Sequence, residues 1–377
     1  MSGLKAITGH VLTPQGFVRG QLEIDAGRIT QISGQAVTEA EVRAGELPIV
    51  LPGFIDIHVH GGGGRDTMEG GDAAPLIARQ HARHGTTSML ATTMTAPLDE
   101  IRAALAALGP LCRQRDPQGA RVLGVHLEGP YINPGKLGAQ PDFAKDASLD
   151  EVRALDALAP IKLITLAPEI EGLLALIPKL REAGFRVQIG HTAGTYEDGV
   201  AALQQGAGGF THLFNAMSGL HHREPGMVGA ALAHARYAEI IPDLLHVHPG
   251  AIRVAMRAIP CMFCVTDSTA AAGMPDGEYK LGRHTVTKCM GGVRLPDGTL
   301  AGSTLTMDQA LRNLVQKLGL EIADASRRVS THAADYMGLD DRGRLAAGAW
   351  ADLVVMDREL QLQRVVVEGE EIDLANA

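Results

Sequence analysis

The sequence predicts an α/β fold: a closed parallel (β/α)8 barrel with a small β-sandwich domain formed by both chain termini. Three observations point there. Between about residues 52 and 335, eight short apolar segments alternate with alanine- and leucine-rich helical stretches. Those apolar segments close on unusual polar residues. Strand-and-turn texture occupies residues 1–51 and returns over 336–377, as one small domain built from both chain ends would require. The 377 residues suit a barrel of about 250 residues with an accessory domain. An open doubly wound sheet is the alternative, but no G-x-G-x-x-G follows a first strand.

Taken in order, Val18 to Ile24 mixes apolar and polar positions, Asp25-Ala-Gly27 is a turn, and Arg28 to Ile32 alternates again. The eight barrel strands are then expected at Ile49–His60, Thr86–Thr93, Arg121–Glu128, Ile161–Pro168, Phe185–His191, Gly209–Phe214, Ala238–His246 and Cys261–Asp267. Helices are expected between most of them, for example Pro97–Leu111 and Gly172–Ala183. Asp352–Asp357 and Arg364–Glu368 read as the returning strands of the terminal domain.

Composition narrows the function classes. Hydrophobic residues make up 45% and charged residues 20%, ordinary for a folded globule. The formal net charge of −9 argues against a nucleic-acid or anionic-membrane surface, and 3% aromatics leave few platforms for stacking bases. No apolar run approaches the roughly 18 residues of a transmembrane helix. The first residues lack the apolar core of a signal peptide, so the expected location is the cytoplasm. Cys261 and Cys264 form a C-x-x-C without a second pair and lie in an apolar run, so they read as buried thiols. His81, His84, His234 and His284 fall in helical or loop stretches and read as surface residues.

The chemistry-bearing pattern begins at Phe54-Ile-Asp-Ile-His58-Val-His60, followed by Gly61 to Gly64. Residues i and i+2 of a strand point the same way, so His58 and His60 project together. Glu128, His191, His212 and Asp267 close the third, fifth, sixth and eighth strand candidates. A parallel barrel brings its C-terminal strand ends onto one face, so all six side chains converge there. Buried charges are paired or coordinate a metal. Imidazole and carboxylate ligands suit Zn²⁺, Fe²⁺, Mn²⁺ or Co²⁺, and the lack of thiolates argues against a closed structural zinc site. His126, two residues before Glu128, is either a partner of the ligands or a packed barrel histidine.

Several segments together resemble the amidohydrolase superfamily and, within it, the N-acetylglucosamine-6-phosphate deacetylase family. They are Pro52 to His60, His126-Leu-Glu-Gly-Pro130, Gly190-His-Thr192, Thr211-His-Leu-Phe-Asn-Ala-Met217, Arg223-Glu-Pro-Gly226, Leu245-His-Val-His248, Val265-Thr-Asp267, Gly302-Ser303 and Gly348 to Val355. The resemblance covers essentially the whole chain. It implies that Glu128, His191 and His212 are the principal ligands of a divalent metal, most of all Zn²⁺. It implies that His58 and His60 can hold a second ion and that Asp267 is the catalytic aspartate. Asn215, Ala216 and Arg223 then match groups that meet the sugar phosphate, and His246 matches a substrate-contacting histidine. The implied reaction is hydrolysis of the substrate acetamide by a metal-activated water, with Asp267 moving the proton. The implied partner is an amino-sugar phosphate, and the implied assembly is a homodimer in which Arg223 reaches a neighbouring subunit's site.

Two departures bear on substrate specificity. Where the family commonly reads Gly-Ala-His, this chain reads Gly138-Ala139-Gln140, and glutamine cannot carry charge. Where the family usually has Asp-Gly-Leu, it reads Asp243-Leu244-Leu245. The galactosamine epimer, a dihydroorotase and an acyl-amino-acid deacylase remain alternatives, as does a non-catalytic sugar-phosphate-binding protein. The fourth strand's only lysine, Lys162, sits at the end opposite a bridging position, which ranks the two lysine-bridged activities lower.

Overall fold

The computed structural model describes residues 5–375. The chain ends form a single seven-stranded sheet in the order Glu370–Glu371, Leu362–Val367, Leu353–Met356, Ile49–Pro52, Ala6–Thr13, Gly16–Asp25, Arg28–Ala36. It is one continuous sheet rather than two separate ones. Its neighbours pair antiparallel except Ala6–Thr13 with Ile49–Pro52. Ile7, Val11, Leu22, Ile29, Val50, Leu353 and Val366 form its own apolar core. The alternation of buried and exposed residues along Gly16–Asp25 is what a strand with one wet face requires.

A six-stranded parallel sheet follows in chain order: Phe54–Val59, Thr86–Thr93, Arg121–Glu128, Ile161–Leu166, Arg186–Ile189, Gly209–Phe210. Thr86–Thr93 is buried along its whole length, as strands covered on both faces are. Glu239–Ile240 and Phe263–Cys264 form a further parallel pair that continues the curl. The Leu213 amide donates to the Glu239 carbonyl at 2.9 Å, and Val59 bridges Ser268 in parallel on the other side. The expected helices appear as Leu98–Arg113 and Leu173–Glu182. Among the described residues, no helix is long and apolar enough to cross a membrane.

Three expectations need correction. Ile49–His60 is two strands, because Gly53 turns the chain from the terminal sheet into the parallel one, its amide donating to the Asp352 carbonyl at 2.9 Å. The sixth, seventh and eighth strands are only two residues long. They are short because the polar residues past them leave the ladder: His212 and Asp267 have φ of 29° and 50°. Third, residues 277–294 hold a three-stranded antiparallel sheet where no strand was expected. Of the C-x-x-C pair, Cys264 is buried as expected, whereas Cys261 is half-buried.

One ion network joins the two units. The Glu368 carboxylate, on the terminal sheet, accepts from Arg121 Nε and Nη2 at 2.8 Å each and pairs with Arg342 and Arg115. Arg342 also pairs with the buried Asp352. Burial alone would push the Glu368 carboxyl up, but the Arg121 and Arg342 guanidiniums hold it down at about 2. Glu368→Gln keeps the shape and removes the charge. Stability should fall by about 3 kcal/mol in denaturant unfolding, the low end for breaking a buried pair because Glu368 is partly solvated.

Candidate metal centre and catalytic pocket

The cavity that gathers the expected residues has a volume of about 230 Å³ and opens at the C-terminal ends of the parallel strands. His60, Glu128, His191, His212 and Asp267 line it, together with Asn215, Ala216, His246 and Gln140. His58 lies behind this wall, fully buried. Arg223 is not brought in: it is exposed on its loop, with Nη1 2.8 Å from His222 Nε2.

Two clusters reach the cavity, and a third, His58, His126 and Glu239, lies behind them. Potential ligand atoms of Glu128, His191 and His212 lie within 4.8 Å of one another, and so do those of His58, His60 and Asp267. Glu128 stands between them. Its Oε1 is 3.1 Å from both His191 Nε2 and His212 Nε2, and its Oε2 is 3.1 Å from His60 Nε2. His191, His212 and Asp267 all have positive φ, at 49°, 29° and 50°. Such backbone costs about 1–3 kcal/mol per residue and collects at functional sites.

The hydrogen bonds decide which ring nitrogens carry protons. His191 Nδ1 is 2.9 Å from the Lys136 carbonyl, which can only accept, so Nδ1 holds the proton. His191 Nε2 then presents a lone pair to a Glu128 carboxylate oxygen. The same holds for His58, whose Nδ1 is 2.9 Å from Glu239 Oε2 while Nε2 lies 3.4 Å from both Glu128 Oε1 and Asp267 Oδ1. Carboxylates buried beside imidazoles call for positive charge, from protons on the rings or from a cation between them. Burial opposes charge on His60, yet bonds from Asp267 and Glu128 raise its ring to about 9. Burial pushes Asp267 up, but His58 and His60 hold it at about 2. The cluster therefore draws positive charge, and its nitrogen and oxygen donors fit a divalent ion.

Surrounding groups set these ligands. Gln140 Nε2 donates to Glu128 Oε2 at 2.6 Å, and its Oε1 accepts the Thr95 amide at 2.7 Å. Gln140 thus braces a ligand as well as lining the cavity. Asp56 accepts from the Thr266 hydroxyl at 2.6 Å and the His58 amide at 3.3 Å, tying the first strand to the eighth. Burial raises its carboxyl to about 7. Burial lowers the His246 ring, but Asp243, 2.7 Å from Nδ1, raises it overall. His126 bonds the Ile57 carbonyl and Thr165, with its ring packed edge-on against His58 at 4.6 Å. Leu244, where a glycine is usual, holds φ of 67° and does not line the cavity.

Two features were missed in the sequence. Glu239 is fully buried behind His58, and a lone acid in the apolar run Ala238–Ile241 was the available signal. Leu281, Thr299 and Leu300 wall the cavity from the antiparallel insert and the loop after it. Lys162 is exposed, away from the centre.

A curled parallel sheet carrying a histidine–carboxylate centre at its strand ends defines a hydrolase of the α/β class. Residues 49–372 match the amidohydrolase family, and the chain belongs to it. Its relatives there include deacetylases of amino-sugar phosphates. It is 41% identical to N-acetylgalactosamine-6-phosphate deacetylase of Escherichia coli O157:H7, over 96% of this chain and 97% of that one. It is 38% identical to N-acetylglucosamine-6-phosphate deacetylase of Lysinibacillus sphaericus, over 91% and 90%. The structure of N-acetyl-D-glucosamine-6-phosphate deacetylase from Mycobacterium smegmatis, a mutant in complex with N-acetyl-D-glucosamine-6-phosphate, superposes with a TM-score of 0.89. That pair shares 32% identity and covers 98% of this chain and 99% of that one.

His81 corrects a further expectation. It is buried, not on the surface, and its Nε2 donates to the Gly61 carbonyl at 3.0 Å beside Ser268. Burial lowers its ring from 6.5 to about 4. The unfolded chain then takes the proton first as pH falls, so the stability from a neutral ring is full above pH 6.5 and lost toward pH 4. At about 1.4 kcal/mol per pKa unit, the acid loss is on the order of 3 kcal/mol. Urea unfolding across that window should show His81→Gln losing less stability than the wild type.

Proposed function

We propose that this protein is a metal-dependent deacetylase that hydrolyses the acetamide of N-acetylglucosamine 6-phosphate to glucosamine 6-phosphate and acetate. The observation that carries the reading is Glu128 standing between two histidine clusters on one cavity, with Asp267 beside them. Glu128, His191 and His212 would hold one divalent ion, most of all Zn²⁺, and His58 and His60 a second. A bound ion of this kind supplies an acidified water and a Lewis acid for the amide carbonyl. Asp267 acts as general base: its low-lying carboxylate is ionised at neutral pH and takes the water's proton. The same carboxyl then delivers that proton to the departing amine nitrogen. His246, anchored through Nδ1 on Asp243, presents its other ring nitrogen as a contact for the substrate. Asn215, Ala216 and Gln140 contact the sugar phosphate and the acetamide side of the cavity.

Arg223 supplies a guanidinium for the phosphate. Because it is exposed and outside its own chain's cavity, it serves the site of a second copy in a homodimer. The reading further includes closure of the eight strands into a (β/α)8 barrel over 52–335, with 1–51 and 336–377 as the small terminal domain. The Leu213–Glu239 and Val59–Ser268 links support that closure. A cytoplasmic location fits a sugar-phosphate substrate.

One observation favours a second reading, N-acetylgalactosamine 6-phosphate as substrate: the 41% identity to a deacetylase named for that sugar. Acetate release from both phosphorylated epimers, with and without a chelator, decides between them. Faster turnover of the glucosamine substrate, abolished by chelator, is the expected result. Chelator-insensitive turnover, or none on either sugar, would contradict the reading.

Asp267→Asn should fold normally and retain its metal, yet lose about 10²–10⁴-fold in kcat. Wild-type turnover in that variant would remove Asp267 from its role. Arg223→Ala should weaken kcat/KM on the phosphorylated sugar by about ten- to a hundredfold, the equivalent of one charge-assisted hydrogen bond. It should leave the unphosphorylated sugar nearly unchanged. Equal losses on both sugars would make Arg223 a structural loop residue.

A further inference from the structure

We infer that Glu239 is a positioning residue for the metal centre: it fixes the tautomer of His58 and so governs whether the ion on the first-strand histidines is held. The inference rests on the proposed metal-dependent reading and deepens it. Glu239 is fully buried and lies outside the cavity wall, behind His58, with its carboxylate within 4.8 Å of ring nitrogens of His58 and His126.

Its carboxylate faces the back of the site. Oε2 lies 2.9 Å from His58 Nδ1 and accepts the His212 backbone amide at 3.1 Å. One oxygen therefore spans a side chain of one cluster and the backbone of the other. A carboxylate can only accept, so His58 keeps a proton on Nδ1, and in the neutral ring that would ligate an ion Nε2 is the nitrogen left with a lone pair facing the cavity. His60 has no such anchor, since its Nδ1 is buried without a partner. Asp56 bonds the His58 amide, not the ring. His126 cannot take over, because its Nδ1 is engaged by the Ile57 carbonyl and its Nε2 by Thr165. Of the two first-strand rings, only His58 is anchored through Nδ1, and its anchor is Glu239; His60 meets Glu128 and Asp267 through Nε2 alone.

Without the carboxylate, His58 is free to carry its proton on Nε2, where it blocks ligation. The His191 tautomer is set independently by the Lys136 carbonyl, so the ion of Glu128, His191 and His212 does not depend on Glu239 in the same way. A glutamine at 239 keeps an acceptor oxygen for Nδ1 and for the His212 amide, losing only the charge.

The test is stepwise Zn²⁺ affinity of the metal-stripped full chain, read by chelator competition and metal counting, for wild type, Glu239→Ala, Glu239→Gln and His60→Ala. His60→Ala marks which ion uses the first-strand histidines. Glu239→Ala should weaken that same ion by about 10–100-fold, as loss of a ligand's outer partner does. The other ion should stay within about twofold. Glu239→Gln, which folds with the same shape, should recover most of the lost affinity. Parallel weakening of both ions, unchanged affinity in both Glu239 variants, or uptake of a single ion by the wild type would overturn the inference. A wild type that binds no divalent ion fails the proposed function itself, which is a separate outcome.

Discussion

The Glu128 carboxylate, buried among the rings of His58, His60, His191 and His212, is the interaction on which the rest depends. Each of its oxygens serves a different histidine cluster. Such a group is costly to bury alone, and burial works against its charge, but His58, His191 and His212 hold its carboxyl well below the usual carboxylate range. The protein answers by surrounding it with positive charge. Gln140 supplies the one direct amide donor to Oε2, and the Thr95 amide locks Gln140 in turn. The departure at position 140 therefore has a structural meaning: a neutral donor here holds the shared ligand without adding a cation to compete with metal.

Strain and rigidity are distributed accordingly. The fifth, sixth and eighth strands stop early, and His191, His212 and Asp267 past their ends occupy left-handed backbone. That geometry survives because the layer beneath it is over-determined. Asp56 ties strand to strand, His81 holds the Gly61 carbonyl, and Glu239 holds both the His58 ring and the His212 amide. Farther out, the Glu368 network clamps the terminal sheet against the start of the third parallel strand. The small domain thus braces the end of the sheet opposite the site.

The sequence made the cluster legible because each of its residues broke a local rule. His58 and His60 alternate within an apolar strand, while Glu128, His191, His212 and Asp267 each end one. The long strands Thr86–Thr93 and Arg121–Glu128 match the expected bounds, because β-branched and apolar residues run together there between clearly helical stretches. The last three strands were overextended, since periodicity does not report where a residue turns to positive φ. His81 was misread because one histidine on a helix carries no pattern, and only tertiary packing buries it. Glu239 broke the same rule as the ligands but stood at the start of its strand segment rather than the end. The antiparallel insert was missed because its strands are short and carry many polar residues.

The central claim is that Glu128, His191 and His212 converge on a divalent ion at the mouth of the parallel strands. X-ray diffraction from the purified protein, recorded above and below a metal absorption edge, tests it most directly. The account predicts an anomalous peak bounded by the Glu128 carboxylate and the Nε2 atoms of His191 and His212, with His191 Nδ1 still on the Lys136 carbonyl. A well-ordered site with no anomalous peak there, or one with His191 turned to present Nδ1 to the cavity, would contradict it.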